Sequence, residues 1–250
     1  MILLTFNISI TEKTREANKK FSDDELISSI EENTKIILLL LELHEYHATF
    51  FVEISIADKL HKLLKSLSLS GHEIALYNVN SEAESIAKTK LNLEHTLNKP
   101  IKGLRQKAHR LPYPEIKELD FVYVSNIEDS KIDFLWRKLT AKTEIYTENE
   151  LTVVPESQSP YSQLPFNDYV LQVTPMKYYE SMLLESLKSD EYVMIYANAW
   201  QLYSKDRLPF VLPFYKKINL DRTFEDRLES LFQFIDEHEI AVSRMKDYLF

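Results

Sequence analysis

The chain has 250 residues, 44% hydrophobic and 28% charged, proportions that are typical of a globular protein and fit one large α/β domain over residues 1–250. Its net charge of -9 argues against a nucleic-acid partner and against an anionic membrane surface, because both would repel it. Cysteine is absent, which excludes disulfides and thiolate metal sites and fits a reducing compartment, so we expect a cytoplasmic protein.

The first predicted element is a strand over residues 4–10. Its residues alternate between a polar and an apolar face, with Thr5, Asn7 and Ser9 on the polar side. The N-terminal residues lack the basic segment and the cleavage site of a signal peptide. The longest apolar run, Ile36–Leu41, is far shorter than the roughly 20 residues that span a bilayer, so we expect no membrane association.

A polar loop and a helix follow. Residues 11–25 predict a solvated loop, and the apolar pattern of residues 26–43 predicts a helix. The acids at 23–25 could act as catalytic acids. A serine followed by acids is also the ordinary start of a helix, and we favour that interpretation. His44 and His47 have the spacing of a metal pair. Because they precede a strand, we expect turn and packing roles for them.

The next segment predicts a strand, a helix and a parallel strand. Residues 48–54 are β-branched and aromatic, and residues 58–69 repeat leucine with a helical period. Gly71 then leads into a second strand over residues 72–78. The spacing between the two strands is that of a βαβ crossover, which parallel strands require.

The remaining chain continues this alternation. We predict helices and strands in turn, the helices over residues 81–97, 178–187 and 224–238 and the strands after Gly103 and over residues 118–125, 151–157 and 192–201. The chain has two glycines, Gly71 and Gly103, where average usage of about 7% would give about 17. We expect them at positions that need positive φ or a close backbone approach.

Several of these segments resemble a known family. Residues 48–52, ATFFV, and 71–75, GHEIA, resemble consecutive strands of the polysaccharide deacetylase family, also called the NodB homology domain. Gly103 and Arg105 resemble its third motif, and Trp200 its last motif. The resemblance covers nearly the whole chain and implies a distorted (β/α) barrel of about seven parallel strands.

The catalytic positions implied by the resemblance hold other residue types. The first family strand ends in carboxylates that act as general base and metal ligand, whereas this chain has Asn7 and Ser9. The second carries a His-x3-His metal pair, and Tyr77 and Ser81 stand there. Asn198 replaces the histidine of the last motif. Because zinc takes imidazole, thiolate or carboxylate ligands, we expect neither a metal nor another cofactor.

Arg105 is the polar residue of the family's catalytic shell that is kept. In the family it pairs with the base aspartate, which Asn7 replaces here. Because a buried unpaired charge is costly, we expect Glu156, another acid or an anionic sugar to neutralise it. Trp200, Tyr77 and Tyr161 are expected near the mouth of the barrel, where they would stack on sugar rings or pack the barrel.

We therefore interpret the chain as a catalytically inactive deacetylase-like protein of surface polysaccharide metabolism that binds an oligo- or polysaccharide, neutral or anionic, or a protein partner. The alternative is a divergent carbohydrate deacetylase or other hydrolase of non-peptide C–N bonds with a non-standard site, for which His72, Glu73 and His109 are further candidates. A third interpretation is a scaffold that acts through its surface. The candidate ligand-binding residues are Asn7, Ser9, Tyr77, Ser81, Arg105, Glu156, Asn198 and Trp200.

Overall fold

The computed structural model describes residues 1–10, 22–107, 110–127, 144–204, 212 and 214–250. The strands in these residues are β1 (Ile2–Ile8), β2 (Thr49–Glu53), β3 (Glu73–Asn78), β4 (Gly103–Lys107), β5 (Tyr123–Ile127), β6 (Tyr146–Glu148), β7 (Leu151–Val154), β8 (Val193–Asn198) and β9 (Val242–Ser243). The helices are α1 (Asp23–Leu43), α2 (Ile54–Ala57), α3 (His61–Leu69), α4 (Ala83–Leu97), α5 (Tyr113–Glu118), α6 (Asp168–Val173), α7 (Met176–Ser189), α8 (Arg222–Glu237) and α9 (Met245–Leu249), with 3-10 turns at Ala199–Leu202 and Phe214–Lys217. None of the described helices is both long and apolar enough to cross a membrane.

Seven parallel strands dominate the sheet, in the order β7, β5, β4, β3, β2, β1, β8. β6 pairs antiparallel with β7, and the short β9 pairs with the start of β1. In a flat sheet β4 and β8 would lie about 19 Å apart, at roughly 4.8 Å per strand. Arg105 of β4 nevertheless reaches within 3.4 Å of Met194 Sδ of β8. The sheet is therefore strongly curled, and the expected barrel-like α/β fold is confirmed.

Both faces of the curled sheet carry buried apolar residues. One face carries residues such as Phe6, Phe50 and Leu104, which share a buried cluster with apolar residues of the helices. The other face turns inward, where Phe51 and Tyr123 pack in a second buried cluster. This arrangement follows from the two-residue period of strands, which sends alternate side chains to helices and to the barrel interior.

Two of the differences from the sequence prediction have a clear backbone reason. β5 begins at Tyr123, later than expected, because α5 extends to Glu118 and Asp120 then takes a left-handed turn with φ of 58°. The β6–β7 hairpin was not predicted. Its turn residues Asn149 and Glu150 have φ of 50° and 59°, as a two-residue hairpin turn requires.

The start of α1 and the turn after it match their predicted roles. Glu25 N donates to Ser22 Oγ at 3.3 Å, and Ser22 N donates to Glu25 Oε2 at 2.7 Å, which together form a capping box. His44 Nδ1 lies 2.5 Å from Asp236 Oδ2 on α8. The interpretation of these acids as a helix start and of His44 as a packing residue is confirmed.

The two glycines occupy positions where a side chain is excluded for different reasons. Gly71 has φ of +88°, and a Cβ there would lie 2.7 Å from the His47 ring. A Cβ on Gly103 would lie 2.1 Å from Cζ of Tyr123. One glycine therefore supplies positive φ and the other a close approach, as expected.

The C-terminal segment covers the amino ends of the parallel strands. Glu73 at the start of β3 accepts hydrogen bonds from Thr49 Oγ1 (2.8 Å), Tyr123 OH (2.9 Å) and Lys246 N (3.0 Å). Burial raises the pKa of Glu73, and these bonds oppose the shift. Met245 packs fully buried among the inward-facing residues. Glu73 is thus part of the closure of this end, opposite the carboxyl ends of the strands.

Candidate functional site

The carboxyl ends of the parallel strands bring polar side chains together inside the barrel. Asn7 near the end of β1 is in register with Asn198 of β8. Arg105 of β4 is in register with Tyr77 of β3 on one side and Ser125 of β5 on the other. All five residues are buried. Buried polar side chains need hydrogen-bond partners, so the bonds among these residues determine what they can do.

 The carboxyl end of a parallel barrel is also where active sites gather, and we therefore take this edge as the candidate site.

Arg105 lies at the centre of this edge and is fully buried. Its Nε donates to Ser125 Oγ (3.1 Å), Nη1 to Asn7 Oδ1 (2.7 Å) and Nη2 to Thr5 Oγ1 (3.0 Å). These three acceptors are neutral. The guanidinium is therefore held by an amide and two hydroxyls at the place where the resemblance implies a carboxylate.

Aromatic rings and one acid favour the charged form of Arg105. The guanidinium carbon lies 3.8 Å from the ring centroid of Phe51 and 5.2 Å from that of Tyr196. Burial lowers the pKa of Arg105 to about 10, and Tyr196, Tyr77 and Glu156 oppose this shift. The group remains protonated at neutral pH. Glu156 Oε1 accepts a hydrogen bond from Tyr196 OH at 2.9 Å. The acid expected beside Arg105 is therefore bonded to the tyrosine whose ring lies near the guanidinium.

The burial of Arg105 corrects one expectation. An anionic sugar was expected as one way to neutralise the guanidinium, but Arg105 has no exposed surface on which a ligand could bind. Its polar partners lie within the protein. Arg105 therefore holds Asn7, Thr5 and Ser125 in place from within the protein.

A chain of amides leads from Arg105 to a carboxylate. Asn7 Nδ2 donates to Asn198 Oδ1 at 3.1 Å, and Asn198 Nδ2 donates to Asp168 Oδ2 at 2.6 Å. Gln201 fixes the same corner, because its Oε1 accepts from Asn198 N (2.8 Å) and its Nε2 donates to the Asp168 carbonyl (3.0 Å). Asn7 and Asn198 are thereby oriented by bonds at both ends.

Asp168 is a site residue that sequence reasoning missed. Burial raises the pKa of its carboxyl group, while Lys216, Lys107 and the Asn198 bond oppose the shift. The available signal was Asn167, whose Oδ1 accepts from Val170 N at 2.9 Å and caps α6. An Asn-Asp pair of this kind reads as an ordinary helix start, and nothing local indicates that the acid contacts β8.

The other candidate residues lie outside this network. Ser9 is buried, and Ser81 N donates to Asn78 Oδ1 at 2.8 Å in the loop after β3. Trp200 is 5% exposed and packs with Tyr203, Leu212 and Leu220. Trp200 and Tyr77 therefore present no open ring face at the mouth.

The exposed aromatic among the expected stacking residues is Tyr161. It is 81% exposed and lies at the tip of a loop that the bridge between Gln158 and Pro165 closes. This loop connects β7 to α6. Of these three aromatic residues, Tyr161 is therefore the one whose ring is open to solvent.

The further catalytic candidates do not join the site. His72 lies at the amino end of β3, where its Nδ1 accepts from Ala48 N at 3.2 Å, and burial lowers its pKa to about 4. Glu73 belongs to the same end. His109 falls outside the described residues.

The residues present do not fit the divalent metal that the fold family implies. The amide groups of Asn7 and Asn198 are engaged with Arg105, Asp168 and each other. Within the described residues no three histidine, aspartate or glutamate side chains are grouped so that they could hold an ion. Metal sites of this type need such ligands together, and the carboxylates near this edge, Glu53, Glu156 and Asp168, are not grouped in that way.

Comparison with known proteins supports the architecture. No family model and no curated protein matches the chain. A polysaccharide deacetylase from Mycobacterium smegmatis is similar in structure, with a TM-score of 0.62 and 14% identity over 99% of this chain and 87% of that one. A probable polysaccharide deacetylase from Pseudomonas aeruginosa gives 0.60 and 14% over 98% and 88%. A CE4 family pseudoenzyme from Bacillus anthracis gives 0.53 and 11% over 100% and 65%. The chain therefore has the polysaccharide deacetylase fold.

Proposed function

We propose that the protein is a catalytically inactive member of this fold, spans one domain over residues 1–250, and binds carbohydrate in surface polysaccharide metabolism. The observation that carries the proposal is the pair of contacts made by Asn7. Its amide accepts from Arg105 and donates to Asn198, at the position where the resemblance implies the general base. An amide has no proton-accepting chemistry near neutral pH, so this position orients side chains instead.

The loss extends to the other implied catalytic groups. Tyr77, Ser81 and Asn198 stand at implied metal or proton-transfer positions. Removal of one general acid or base typically slows a reaction by about 10²–10⁴. The same mechanism cannot run with these residues. A CE4 family pseudoenzyme shares this fold, which makes a non-catalytic role compatible with the architecture.

The first experiment measures metal content and deacetylation together. The purified chain is equilibrated with zinc, cobalt and nickel, dialysed, and assayed on N-acetylated chitooligosaccharides. We expect less than about 0.1 metal ion per chain and no acetate release above that of buffer. Stoichiometric metal together with acetate release would overturn the proposal and establish the divergent hydrolase as the function.

The divergent hydrolase is the second candidate, and Asp168 is the observation in its favour. Its carboxyl group has a raised pKa and contacts Asn198 at the carboxyl edge. Perturbed carboxyl groups of this kind mark many active sites. Acetate release that requires no metal and is abolished by Asp168→Asn would identify this residue as catalytic.

We also propose the classes of partner and the location of the protein. The negative net charge argues against nucleic-acid and anionic membrane partners, and a protein partner would suit a scaffold role. A cytoplasmic location rests on the absence of cysteine. Fractionation of the native host into cytoplasm, membrane and medium tests the location directly.

A further inference from the structure

A group of aromatic side chains outside the buried network extends the candidate site to the surface. The rings of Tyr169 and Tyr215 have centroids 6.0 Å apart and planes at 88°. The rings of Tyr215 and Phe214 are 5.9 Å apart at 87°. We call Tyr169, Phe214 and Tyr215 the aromatic ridge. Phe214 is 83% exposed, which is unusual for a side chain of this size.

The aromatic ridge is fixed to the carboxyl edge through backbone contacts. Gln172 of α6 donates from Nε2 to the carbonyl oxygen of Lys216 at 2.9 Å. Asn219 Nδ2 donates to the carbonyl oxygen of Gln172, also at 2.9 Å. The 3-10 turn that carries Phe214 and Tyr215 is therefore anchored on the same helix that presents Tyr169. These bonds hold the aromatic ridge in a defined position on the fold.

The aromatic ridge adjoins the polar end of the amide chain. Tyr169 directly follows Asp168, whose carboxylate accepts from Asn198. Lys216 directly follows Tyr215, and its ammonium group favours the charged form of Asp168. Aromatic faces, an ammonium group and a carboxylate therefore meet at one end of the site. An ammonium group has three hydrogen-bond donors, so that of Lys216 can donate to a ligand at this end of the site.

We propose that the aromatic ridge and Lys216 form a subsite for a sugar ring that carries a carboxylate, such as a uronic acid unit. The apolar CH face of the ring packs on Tyr215 and Phe214, and the sugar carboxylate accepts from Lys216 Nζ. Asp168 accepts from a sugar hydroxyl. This inference rests on the proposed carbohydrate binding and names the ligand class and the surface that binds it.

The choice of an acidic sugar follows from charge and from the position of the rings. A protein with a net charge of -9 repels acidic ligands at long range, so an acidic ligand needs a local positive charge, which the ammonium group of Lys216 supplies beside the aromatic ridge. We assign the contact with an anionic group to this surface rather than to Arg105, which is buried. We likewise assign ring stacking to the aromatic ridge rather than to Trp200 and Tyr77.

The test is isothermal titration of the full chain with oligogalacturonate and with neutral galactooligosaccharides of the same length. We expect the acidic oligosaccharide to bind at least about tenfold more tightly. Phe214→Ala should weaken binding of the acidic oligosaccharide about tenfold, the loss expected when one aromatic contact is removed. Lys216→Gln should weaken the acidic ligand about tenfold and leave the neutral one unchanged.

Matched variants separate the subsite from general effects. Lys217→Gln removes a charge from the same 3-10 turn, and Tyr178→Ala removes a half-exposed aromatic ring from α7. Both should change affinity less than twofold. Because Phe214 is exposed, its replacement should leave the far-UV circular dichroism and urea midpoint unchanged, so that lost binding reports contact with the ligand.

The outcomes distinguish this inference from the function on which it rests. Equal affinity for neutral and acidic oligosaccharides would overturn the acidic class and leave carbohydrate binding intact. Binding that is unaffected by Phe214→Ala and Lys216→Gln would overturn the subsite. Absence of binding to either oligosaccharide would overturn both the subsite and the proposed carbohydrate binding. If a purified protein were then found to bind through Phe214, the aromatic ridge would be a protein interface.

Discussion

Arg105 and Asn7 are joined by a hydrogen bond of 2.7 Å between the guanidinium Nη1 and the amide oxygen, and both side chains are buried. The resemblance implies an ion pair at this place, with a base aspartate facing the arginine. Here the arginine remains and its partner is neutral. The buried cation is accommodated because Ser125 and Thr5 also accept from it and an aromatic ring lies against its face. We expect its role to be structural.

Replacement of Arg105 tests this structural role. Arg105→Met keeps much of the volume but leaves Thr5, Asn7 and Ser125 without their donor. Unsatisfied buried acceptors cost about 1–3 kcal/mol each, and the apolar replacement recovers part of that, so we expect a loss of about 2–4 kcal/mol. Urea unfolding measures it. Arg222→Met, at an exposed position on α8, should change stability by less than about 0.5 kcal/mol. Equal effects would show that the Arg105 contacts add little.

Restoration of the aspartate should make stability depend on pH in a defined direction. In Asn7→Asp the guanidinium of Arg105 lowers the pKa of the new carboxyl group below its unfolded value of about 3.9. A lowered pKa adds stability above the unfolded pKa, and that stability is lost as pH falls through the folded pKa. The unfolding free energy of the variant minus that of the wild type should therefore rise between about pH 2 and pH 5.

The chain offers a matched control on its surface. Arg110 Nη1 donates to Asn80 Oδ1 at 2.6 Å, the same pair of groups as in the core, but at an exposed position. Asn80→Asp creates an ion pair that solvent screens, worth about 0–1 kcal/mol. Its pH dependence should be a small fraction of that of Asn7→Asp. If the two variants titrate alike, Arg105 does not act on residue 7 as the geometry indicates.

The strands, helices and turns of the fold could be predicted because local sequence patterns specify them. The alternating pattern of β1, the leucine repeat before Gly71 and the two glycines each carry their own physical reason. The long-range contacts have no such signal. Asp168 reaches Asn198 across thirty residues, and the burial of Arg105 depends on how strongly the sheet curls. The sequence therefore indicates candidate residues at this edge of the sheet, but not the long-range contacts that they make.

Ionisation of Asp168 should lower the free energy of unfolding as pH rises. Burial raises the pKa of this carboxyl group in the folded chain. A raised pKa means that the associated stability is fully present below the unfolded value of about 3.9 and is lost as pH rises through the folded pKa. Asp168→Asn removes this loss. The unfolding free energy of the variant relative to the wild type should increase from about pH 4 upward.

A control for Asp168 lies on the exposed surface of α8. Asp226→Asn makes the same substitution at an exposed position and should change stability by less than about 0.5 kcal/mol. A relative stability of Asp168→Asn that falls with rising pH would mean that its charged form is favoured in the folded chain. In that case Lys216 and Lys107, rather than burial, determine the pKa of Asp168.

The close approach of Gly103 and Tyr123 can be tested with a double-mutant cycle. A Cβ at residue 103 would lie 2.1 Å from Cζ of Tyr123, which is fully buried and donates to Glu73 at 2.9 Å, so the ring cannot move aside freely. Gly103→Ala should cost about 2 kcal/mol or more through overpacking. In a Tyr123→Ala background the clash is gone, and the same substitution should be nearly neutral in urea unfolding.

Gly71 provides the contrasting case, because its substitution is strained by the backbone as well as by a neighbouring ring. A Cβ there meets His47 at 2.7 Å, but φ is also +88°, a region that residues with side chains rarely adopt. Gly71→Ala should therefore destabilise the chain by about 1 kcal/mol or more even when His47→Ala removes the ring. Full rescue by His47→Ala would mean that sterics alone select glycine at this turn. Persistence of the loss, beside the rescue at Gly103, would show that two glycines were kept for two separable physical reasons.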